Sequence, residues 1–468
     1  MMFSSLQMLL TIRRGKLRKL GLLSLFSLLS LFSLLSLFSF LLEVNALAKP
    51  NKKQGKVNTN LSKKTTAPAK KKAVKTKQKR GKRIVFQPFS PVLPPQNIVS
   101  YKLQPDGNIM LSHLPPAFPT EAGSPIKIKS ENKDLIVLTL DPDLQAFTQE
   151  LVDQTNAYHL ALVTMEPDTG RILSIAGKSI SYHSLPLHAG FPAASIFKMI
   201  TAAAALEKGV ITTDSFINYR GGVYDLDRKN YLPFEPLDTL KMSIVEAMGR
   251  SCNPVFGRVA LGLANPRELE AYAEKFGFNR RLMFDVPLKE SDFTLPQDDY
   301  ELARTGAGFG KVRLSPVHAA AMISAIATGG IMPRPSIVDL VITKNNKLIY
   351  KWRKQIVQQI VARETAGNLI DMLRATTTIG TSKRDFKNIN FSVLANMPIA
   401  AKTGTLRGDN PKGLTRWFVG VAPAYSPKIA VVTVTVDQAG QSNRASNLGR
   451  QLMERFFELQ EQRKGYRG

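Results

Sequence analysis

The sequence predicts an α+β fold in which an antiparallel sheet is flanked by helices and a helical subdomain closes over it. Two strand-like runs near the carboxyl end, residues 417–422 and 429–436, are rich in Val, Thr and Ile. An Ala-rich run over residues 196–206 contains no Gly or Pro, which favours a buried helix. About 330 residues follow position 134, which is enough for one large domain with its own core.

The amino-terminal region predicts a membrane segment followed by a basic tether. Residues 1–19 form a basic tail, and residues 20–42 form an uncharged apolar run that is long enough to cross a bilayer core. Residues 43–83 contain 15 Lys or Arg and one Glu, which is typical of a disordered segment. Residues 1–83 therefore carry +19 of the formal net charge of +28, so most of the basicity lies outside the predicted domain.

The remaining chain is divided into a short lead-in and one domain. Residues 84–133 are expected to form a strand-rich lead-in, and residues 134–460 the folded domain. The sheet is expected to draw on both residues 135–176 and residues 402–436. Apolar residues at helical spacing over 447–459 predict a final helix packed on the sheet.

The first chemical motif is a Ser-x-x-Lys pair, Ser195 and Lys198, at the start of the Ala-rich helix. Residues three apart share a helix face, so the hydroxyl and the amine are expected to lie together. A neutral lysine can take the serine proton, and burial or nearby positive charge lowers a lysine pKa. The alternative is that Ser195 only caps the helix. The same spacing also occurs in two segments that do not resemble helix starts, Ser124/Lys127 and Ser130/Lys133.

The second motif is Ser251-Cys252-Asn253, between helical patterns over residues 240–250 and 255–263. A Ser and an Asn displayed in a short turn between two helices can face one cleft. Capping and turn formation are the commoner roles of these residues, so the motif alone is weak. Cys252 is the only cysteine in the chain, so it has no intramolecular disulfide partner, and it is interpreted as a small buried residue.

The third motif is Lys402-Thr403-Gly404-Thr405, at the start of the strand-rich carboxyl-terminal region. On an edge strand, Gly404 would remove the side chain that blocks a peptide from lying alongside. The two hydroxyls and the Lys402 ammonium could then receive a substrate carboxylate. A surface turn is the alternative when the tripeptide is taken in isolation.

The three motifs, in this order, resemble those of the penicillin-binding proteins, serine D,D-transpeptidases that cross-link peptidoglycan and are acylated by β-lactams. The resemblance covers roughly residues 134–458 and includes further segments in family order: Leu138–Asp141, Asp168–Arg171, Phe309-Gly310, Leu314–Pro316, Gly329-Gly330 and Trp417–Gly420. It implies a penicillin-binding transpeptidase-like fold, a short monofunctional form without room for a glycosyltransferase domain, and no cofactor.

The resemblance also implies a role for each motif residue. Ser195 would be the acylated nucleophile and Lys198 its general base. Ser251 would relay the proton to the leaving amine, and Asn253 would hold the substrate backbone. Lys402, Thr403 and Thr405, beside Gly404, would bind the terminal carboxylate of D-Ala-D-Ala. The backbone N–H groups of Ser195 and Thr405 would form the oxyanion hole.

The implied partners are peptidoglycan stem peptides and penicillin or other β-lactams. The Lys-rich tether is expected to contact anionic lipid or wall polymer and not nucleic acid, since no aromatic residues are interleaved with its charges. No metal is expected, because the five histidines show no paired ligand spacing. The protein is expected in the inner (cytoplasmic) membrane as a single-pass protein, with its catalytic domain periplasmic or extracellular.

Two questions about the amino terminus stay open. Ala46-Leu47-Ala48 fits a signal-peptide cleavage site, although residues 20–42 are interpreted as an uncleaved anchor. Positive charge is also denser after the apolar run than before it, and the positive-inside rule would place that side in the cytoplasm. Peptidoglycan chemistry requires the opposite orientation, which we prefer because long domains can be translocated despite flanking charge.

Several functions compete for the same motifs. A D,D-carboxypeptidase keeps all three motifs and passes the acyl group to water. A β-lactamase needs an additional base that activates water to hydrolyse the acyl-enzyme, and no Glu-x-x-x-Asn spacing between the second and third motifs is assigned to that role. A β-lactam sensor needs several membrane segments, whereas one is predicted. A non-catalytic, membrane-tethered, wall-binding scaffold would follow if Ser195 were never acylated.

Overall fold

Eighteen strands and ten helices lie in the part of the chain that the computed structural model describes, namely residues 98–121, 123–182, 184–387, 389, 392–438 and 441–465. The strands are β1 Tyr101–Leu103, β2 Ile109–Leu111, β3 Lys127–Lys129, β4 Leu135–Leu138, β5 His159–Met165, β6 Ile172–Ser179, β7 Phe191–Pro192, β8 Phe216–Tyr219, β9 Leu240–Ser243, β10 Asp292–Phe293, β11 Val312–Leu314, β12 Ile331–Pro333, β13 Val338–Ile342, β14 Leu348–Lys351, β15 Ile356–Gln359, β16 Ala400–Asp409, β17 Lys412–Ala422 and β18 Ile429–Asp437. The helices are α1 Pro142–Gln154, α2 Lys198–Glu207, α3 Ile244–Arg250, α4 Asn253–Leu261, α5 Pro266–Lys275, α6 Asp299–Gly306, α7 Pro316–Ala327, α8 Arg363–Thr378, α9 Lys383–Phe386 and α10 Ala445–Gly465.

The central sheet has five antiparallel strands in the order β16-β17-β18-β5-β6. It joins two distant parts of the chain, because β18 pairs with β5, with Thr433 opposite Leu162. The predicted contribution of residues 402–436 is therefore present. The predicted contribution of residues 135–176 is only partly correct: β5 and β6 join the sheet, but β4 pairs with β3 and β13 in a separate four-stranded sheet. Helix α1 carries the chain from one sheet to the other.

Helices cover both faces of the central sheet because its strands are apolar on both sides. In β18, Val432 and Val434 belong to the core on the α7 side, whereas Ile429 and Val431 belong to the core that includes α1 and α10. This alternation follows from the two-residue period of a strand. Helix α7 is buried along nearly its whole length, as expected for a helix that is apolar all round. The predicted α+β fold with helices on both faces is confirmed.

The helical subdomain is built around α2, whose residues Ala202–Ala205 are fully buried. Small side chains allow α2 to pack closely against α4, α5 and α8. The helix predicted over residues 240–250 is wrong at its start, because 240–243 form strand β9. Ser243 then caps α3 by accepting a hydrogen bond from the Glu246 N–H. The final helix, α10, is longer than predicted.

The described part of the lead-in contains the three short strands β1, β2 and β3. The lead-in packs on the domain, since β3 pairs with β4. The predicted membrane segment, residues 20–42, and the predicted tether, residues 43–83, lie outside the described residues. Among the helices that are described, none combines the length and the apolar character needed to cross a bilayer.

Candidate active site

Ser195 lies in a 3₁₀ turn, Ala194–Phe197, that leads directly into α2. Residues three apart are eclipsed in a 3₁₀ helix, which brings the Ser195 and Lys198 side chains together. Lys198 Nζ is 2.8 Å from Ser195 Oγ. Ala194 has a φ of 50°, a left-handed conformation that costs energy for a residue with a Cβ. The backbone before Ser195 is therefore held in place by its surroundings.

Lys198 is fully buried and surrounded by oxygen atoms. Its Nζ donates to Asn253 Oδ1 at 2.7 Å and to the Ala307 carbonyl oxygen. Burial lowers the Lys198 pKa well below its usual value, and the nearby charge of Lys402 lowers it further. A neutral amine has two N–H donors and one lone pair. The two acceptor-only partners take the donors, so the lone pair is left for the Ser195 hydroxyl.

The second motif forms the junction between α3 and α4. Ser251 ends α3 in a left-handed conformation with a φ of 60°, and Asn253 is the first residue of α4. The Asn253 side chain is fixed at both ends, because its Nδ2 donates to the Tyr224 carbonyl oxygen at 2.7 Å and its Oδ1 accepts from Lys198. Cys252 is fully buried between the two polar residues, and burial raises the pKa of its thiol.

The third motif lies in the first half of β16, which is an edge strand of the central sheet. Lys402 is fully buried, and its Nζ donates to Ser251 Oγ at 2.9 Å and to the Thr403 carbonyl oxygen at 3.0 Å. Burial lowers the Lys402 pKa to about 7. The Thr403 hydroxyl is 2.5 Å from that of Thr381. The hydrogen bond from Lys402 to Ser251 therefore connects the third motif with the second.

Gly404 lies against the turn that carries Ser195. A Cβ at this position would lie 3.2 Å from Ala194 Cβ and 3.3 Å from Ile196 Cγ1. Both separations are tighter than ordinary van der Waals contacts, so a side chain at 404 would push the strand and the turn apart. The glycine therefore sets the width of the space between β16 and Ser195.

The three motifs converge on one cleft of about 550 Å³. The motif residues that line it are Ser195, Ser251, Asn253, Thr403 and Thr405. Further lining residues that the sequence did not indicate as site residues are Tyr224, Ala307, Gly308, Phe309, Thr381, Arg384, Asp385, Arg416, Trp417, Arg444, Ala445 and Ser446. Phe309 and Trp417 belong to segments recognised in the sequence. The others come from helices, loops and, for Arg416, strand β17, in segments that carry no motif spacing.

Residues 160–454 match the sequence profile described as the penicillin-binding protein transpeptidase domain, which is more than half of the chain. The chain belongs to this family. It is 27% identical over 315 residues to peptidoglycan D,D-transpeptidase PbpA of Mycolicibacterium smegmatis, covering 59% of this chain and 62% of that protein. It is 26% identical over 326 residues to stage V sporulation protein D of Bacillus subtilis, covering 64% and 49%. The matches thus span about half to two thirds of these relatives.

Solved structures of the family share the fold. The D,D-transpeptidase domain of a peptidoglycan glycosyltransferase from Eggerthella lenta superposes with a TM-score of 0.59 at 22% identity, covering 78% of this chain and 96% of that one. The imipenem acyl-enzyme complex of penicillin-binding protein A from M. tuberculosis gives 0.57 at 24% identity, covering 69% and 79%. The predicted family and the penicillin-binding transpeptidase-like fold are confirmed.

Within this penicillin-binding fold, Lys402 does not lie where the sequence analysis expected it. Its ammonium was expected to receive a carboxylate together with Thr403 and Thr405, but Lys402 does not line the cleft. Successive residues of a strand point to opposite faces, so Lys402 and Gly404 face the buried side. The two threonines line the cleft instead. Lys402 therefore contacts the cleft through Ser251.

Neither of the other two Ser-x-x-Lys pairs, Ser124/Lys127 and Ser130/Lys133, lies at the start of a helix, as their flanking residues predicted. Lys127 belongs to strand β3, and Ser130 Oγ accepts a hydrogen bond from the Asp134 N–H. The expectation for a β-lactamase base needs a correction, because Glu364 and Asn368 do form a Glu-x-x-x-Asn spacing between the second and third motifs. Glu364 is exposed at the start of α8 and does not line the cleft.

Proposed function

We propose that this chain is a peptidoglycan D,D-transpeptidase that forms an acyl-enzyme at Ser195 from a stem peptide ending in D-Ala-D-Ala and transfers it to an acceptor amine. One observation carries the proposal: a fully buried Lys198 lies 2.8 Å from Ser195 Oγ and has its donors engaged by two acceptors. That arrangement makes the amine a general base for the hydroxyl. Membership of the family supports it.

In acylation, Lys198 takes the Ser195 proton as Oγ attacks the carbonyl carbon of the penultimate D-Ala. The backbone N–H groups of Ser195 and Thr405 would stabilise the negative charge that develops on the carbonyl oxygen. The C–N bond then breaks, and the terminal D-Ala leaves as an amine that receives a proton through Ser251. The Ser251 hydroxyl accepts from Lys402 Nζ, so it can pass its own proton on and be reprotonated from that amine.

Asn253, Thr403 and Thr405 have hydrogen-bonding groups that can bind the substrate. Asn253 Nδ2 has two hydrogens and uses one on the Tyr224 carbonyl, so the second is available for a substrate carbonyl. Thr403 and Thr405 offer hydroxyls from the edge strand to the terminal carboxylate. A β-lactam presents a carbonyl and a carboxylate to the same groups, and its ring opening would leave a covalent ester on Ser195.

The test is covalent labelling with a fluorescent penicillin. The wild-type protein is expected to be labelled, and the Ser195→Ala variant is expected to remain unlabelled. Ser426→Ala, a control at an exposed serine, is expected to be labelled like the wild type. Incubation with a stem pentapeptide and an acceptor amine then identifies the product. A cross-linked product supports the transpeptidase. Free D-Ala and a tetrapeptide alone indicate the carboxypeptidase. Absence of labelling in the wild type would leave the tethered scaffold.

We also propose that residues 20–42 anchor the protein in the cytoplasmic membrane as a single pass, that the tether contacts anionic lipid or wall polymer, and that the domain lies outside. The apolar run and its preceding basic residues support this orientation. A periplasmic or extracellular signal is expected from a reporter fused after Gly468. A reporter active only in the cytoplasm would contradict it.

A further inference from the structure

The cleft extends beyond Thr403 and Thr405 to three arginines. Arg416 lies directly opposite Thr405 in the register of β16 and β17, so the two side chains project from the same face of the sheet. Arg384 on α9 and Arg444, directly before α10, also line the cleft. We call Arg384, Arg416 and Arg444 the arginine wall.

Positive charge exceeds negative charge along this wall. Asp385 is the one carboxylate among the described residues that line the cleft; it accepts from Ser446 and lies 2.7 Å from Arg444 Nη1. Arg416 is paired with Asp437. Arg384 is exposed, and no carboxylate in the described part of the chain lies within ion-pair distance of it. The wall therefore retains an unneutralised guanidinium, the group best suited to bind a carboxylate.

The chemistry of the proposed reaction gives this charge a role. The leaving group of acylation is an amine with a carboxylate on the adjacent carbon. Attack by an acceptor amine on the acyl-enzyme is the reverse of that step, so the acceptor enters where the leaving amine departed. The side chain of a departing D-Ala is a methyl group, whereas the cleft of about 550 Å³ has room for a larger acceptor.

We propose that the arginine wall selects the acceptor, so that the acyl-enzyme reacts preferentially with amines that carry a carboxylate on the same carbon. This inference rests on the proposed transpeptidase function. In the step, the amine forms a C–N bond to the ester carbonyl, and the C–O bond to Ser195 breaks. One amine proton passes through Ser251 and the lysines to Ser195 Oγ, which regenerates the hydroxyl.

The experiment compares two acceptors on one acyl-enzyme. Ser195 is acylated with an N-acyl-D-alanyl thioester, and D-alanine and D-alaninamide compete for the acyl group while both products are quantified by mass spectrometry. The wild type is expected to favour D-alanine. Arg384→Gln is expected to reduce that preference about five- to tenfold, which is the effect of losing a charge-assisted hydrogen bond at a partly exposed site. The two amines differ in intrinsic reactivity, but this difference is the same for every variant and therefore cancels when product ratios are compared between variants.

Two further variants sharpen the test. Asp385→Asn removes the charge that pairs with Arg444 but keeps an acceptor for Ser446, so the preference for D-alanine is expected to rise. Arg353→Gln, a control at an exposed arginine that does not line the cleft, is expected to leave it unchanged. Equal preference in the wild type and Arg384→Gln would overturn the inference. Failure of the wild type to be acylated by either thioester or penicillin would instead contradict the proposed function.

Discussion

Two buried lysines govern the site at the scale of single residues. Lys198 and Lys402 are both fully buried, and burial lowers the pKa of each. The charge of Lys402 lowers the pKa of Lys198 further. The lowered pKa of Lys198 favours its neutral form, the form that can act as a base, whereas Lys402, with a pKa of about 7, is partly charged at neutral pH. The residue types were evident from the sequence, but their burial was an expectation that only the packing could decide.

A pH profile tests the coupling between these lysines. When the pH falls through the pKa of Lys198, the amine becomes protonated and can no longer accept the Ser195 proton, so acylation slows. Lys402→Gln removes a positive charge and raises the Lys198 pKa. We therefore expect the acid limb of the penicillin acylation rate to move to higher pH in this variant. A lower rate at every pH without movement of the limb would contradict the coupling.

Stability offers a second test of Lys402. Its pKa is about 7 in the folded protein and about 10.4 when unfolded, so between these values the unfolded chain holds a proton that the folded chain lacks. Stability therefore falls as the pH decreases from about 10.4 to about 7, and the loss persists below. Lys402→Met is expected to raise Tm at pH 7 while penicillin labelling becomes slower. The exposed control Lys428→Met is expected to leave both nearly unchanged.

The contact between strand β16 and the Ser195 turn is decisive at the scale of elements. The predicted strand is present, and the alternation along it separates Lys402 and Gly404 from the cleft-lining threonines. The sequence indicated a glycine beside a bound peptide. The structure adds that this glycine faces Ala194 and Ile196 of the nucleophile turn. No sequence pattern predicts that contact, because it joins residues about 200 positions apart.

Substitution of Gly404 tests the contact. Gly404→Ala places a Cβ within 3.2 Å of Ala194, and Gly404→Val adds two methyl groups there. Acylation is expected to fall by about tenfold in the first and more in the second, because a displacement near 1 Å at a catalytic group costs on the order of a hundredfold. The matched control is Gly367→Ala on α8, where a Cβ meets nothing within 4 Å. An acylation rate for Gly404→Val equal to that of the control would contradict this account.

Asp285 connects separate parts of the domain at the scale of the whole molecule. Its carboxylate is fully buried and accepts from the Arg334 guanidinium, the Ser336 hydroxyl and two backbone N–H groups, those of Ile337 and Val338. Its carbonyl oxygen accepts from Leu111 on β2. The lead-in, the helical subdomain and the segment before β13 therefore meet at one residue.

The ion pair of Asp285 with Arg334 should matter far more than a surface pair. Asp285→Ala leaves the Arg334 guanidinium, only 4% exposed, without its partner, and is expected to cost about 3–5 kcal/mol of unfolding free energy. Asp168→Ala breaks a pair with Lys354 in which both side chains are at least 46% exposed, and is expected to cost less than about 1 kcal/mol. Urea denaturation measures both. Equal losses would contradict the importance assigned to burial.

The sequence by itself determined the family, the fold class and which residue types could perform acyl transfer. These depend on local spacing: a hydroxyl and an amine three positions apart at Ser195 and Lys198, Ser251 and Asn253 two positions apart, and alternation along a strand. Where the prediction was wrong, as for β4 and for the start of α3, local patterns fit more than one pairing, and the choice is made by neighbouring elements.

Only the tertiary structure decided how the motifs meet. It placed Lys402 behind Ser251 and out of the cleft, assigned the donors of Lys198 to Asn253 and Ala307, and brought three arginines to the cleft that Thr403 and Thr405 also line. The physical reason is that proton affinity and charge balance depend on burial and on distances between residues far apart in the chain. Those quantities are fixed by packing.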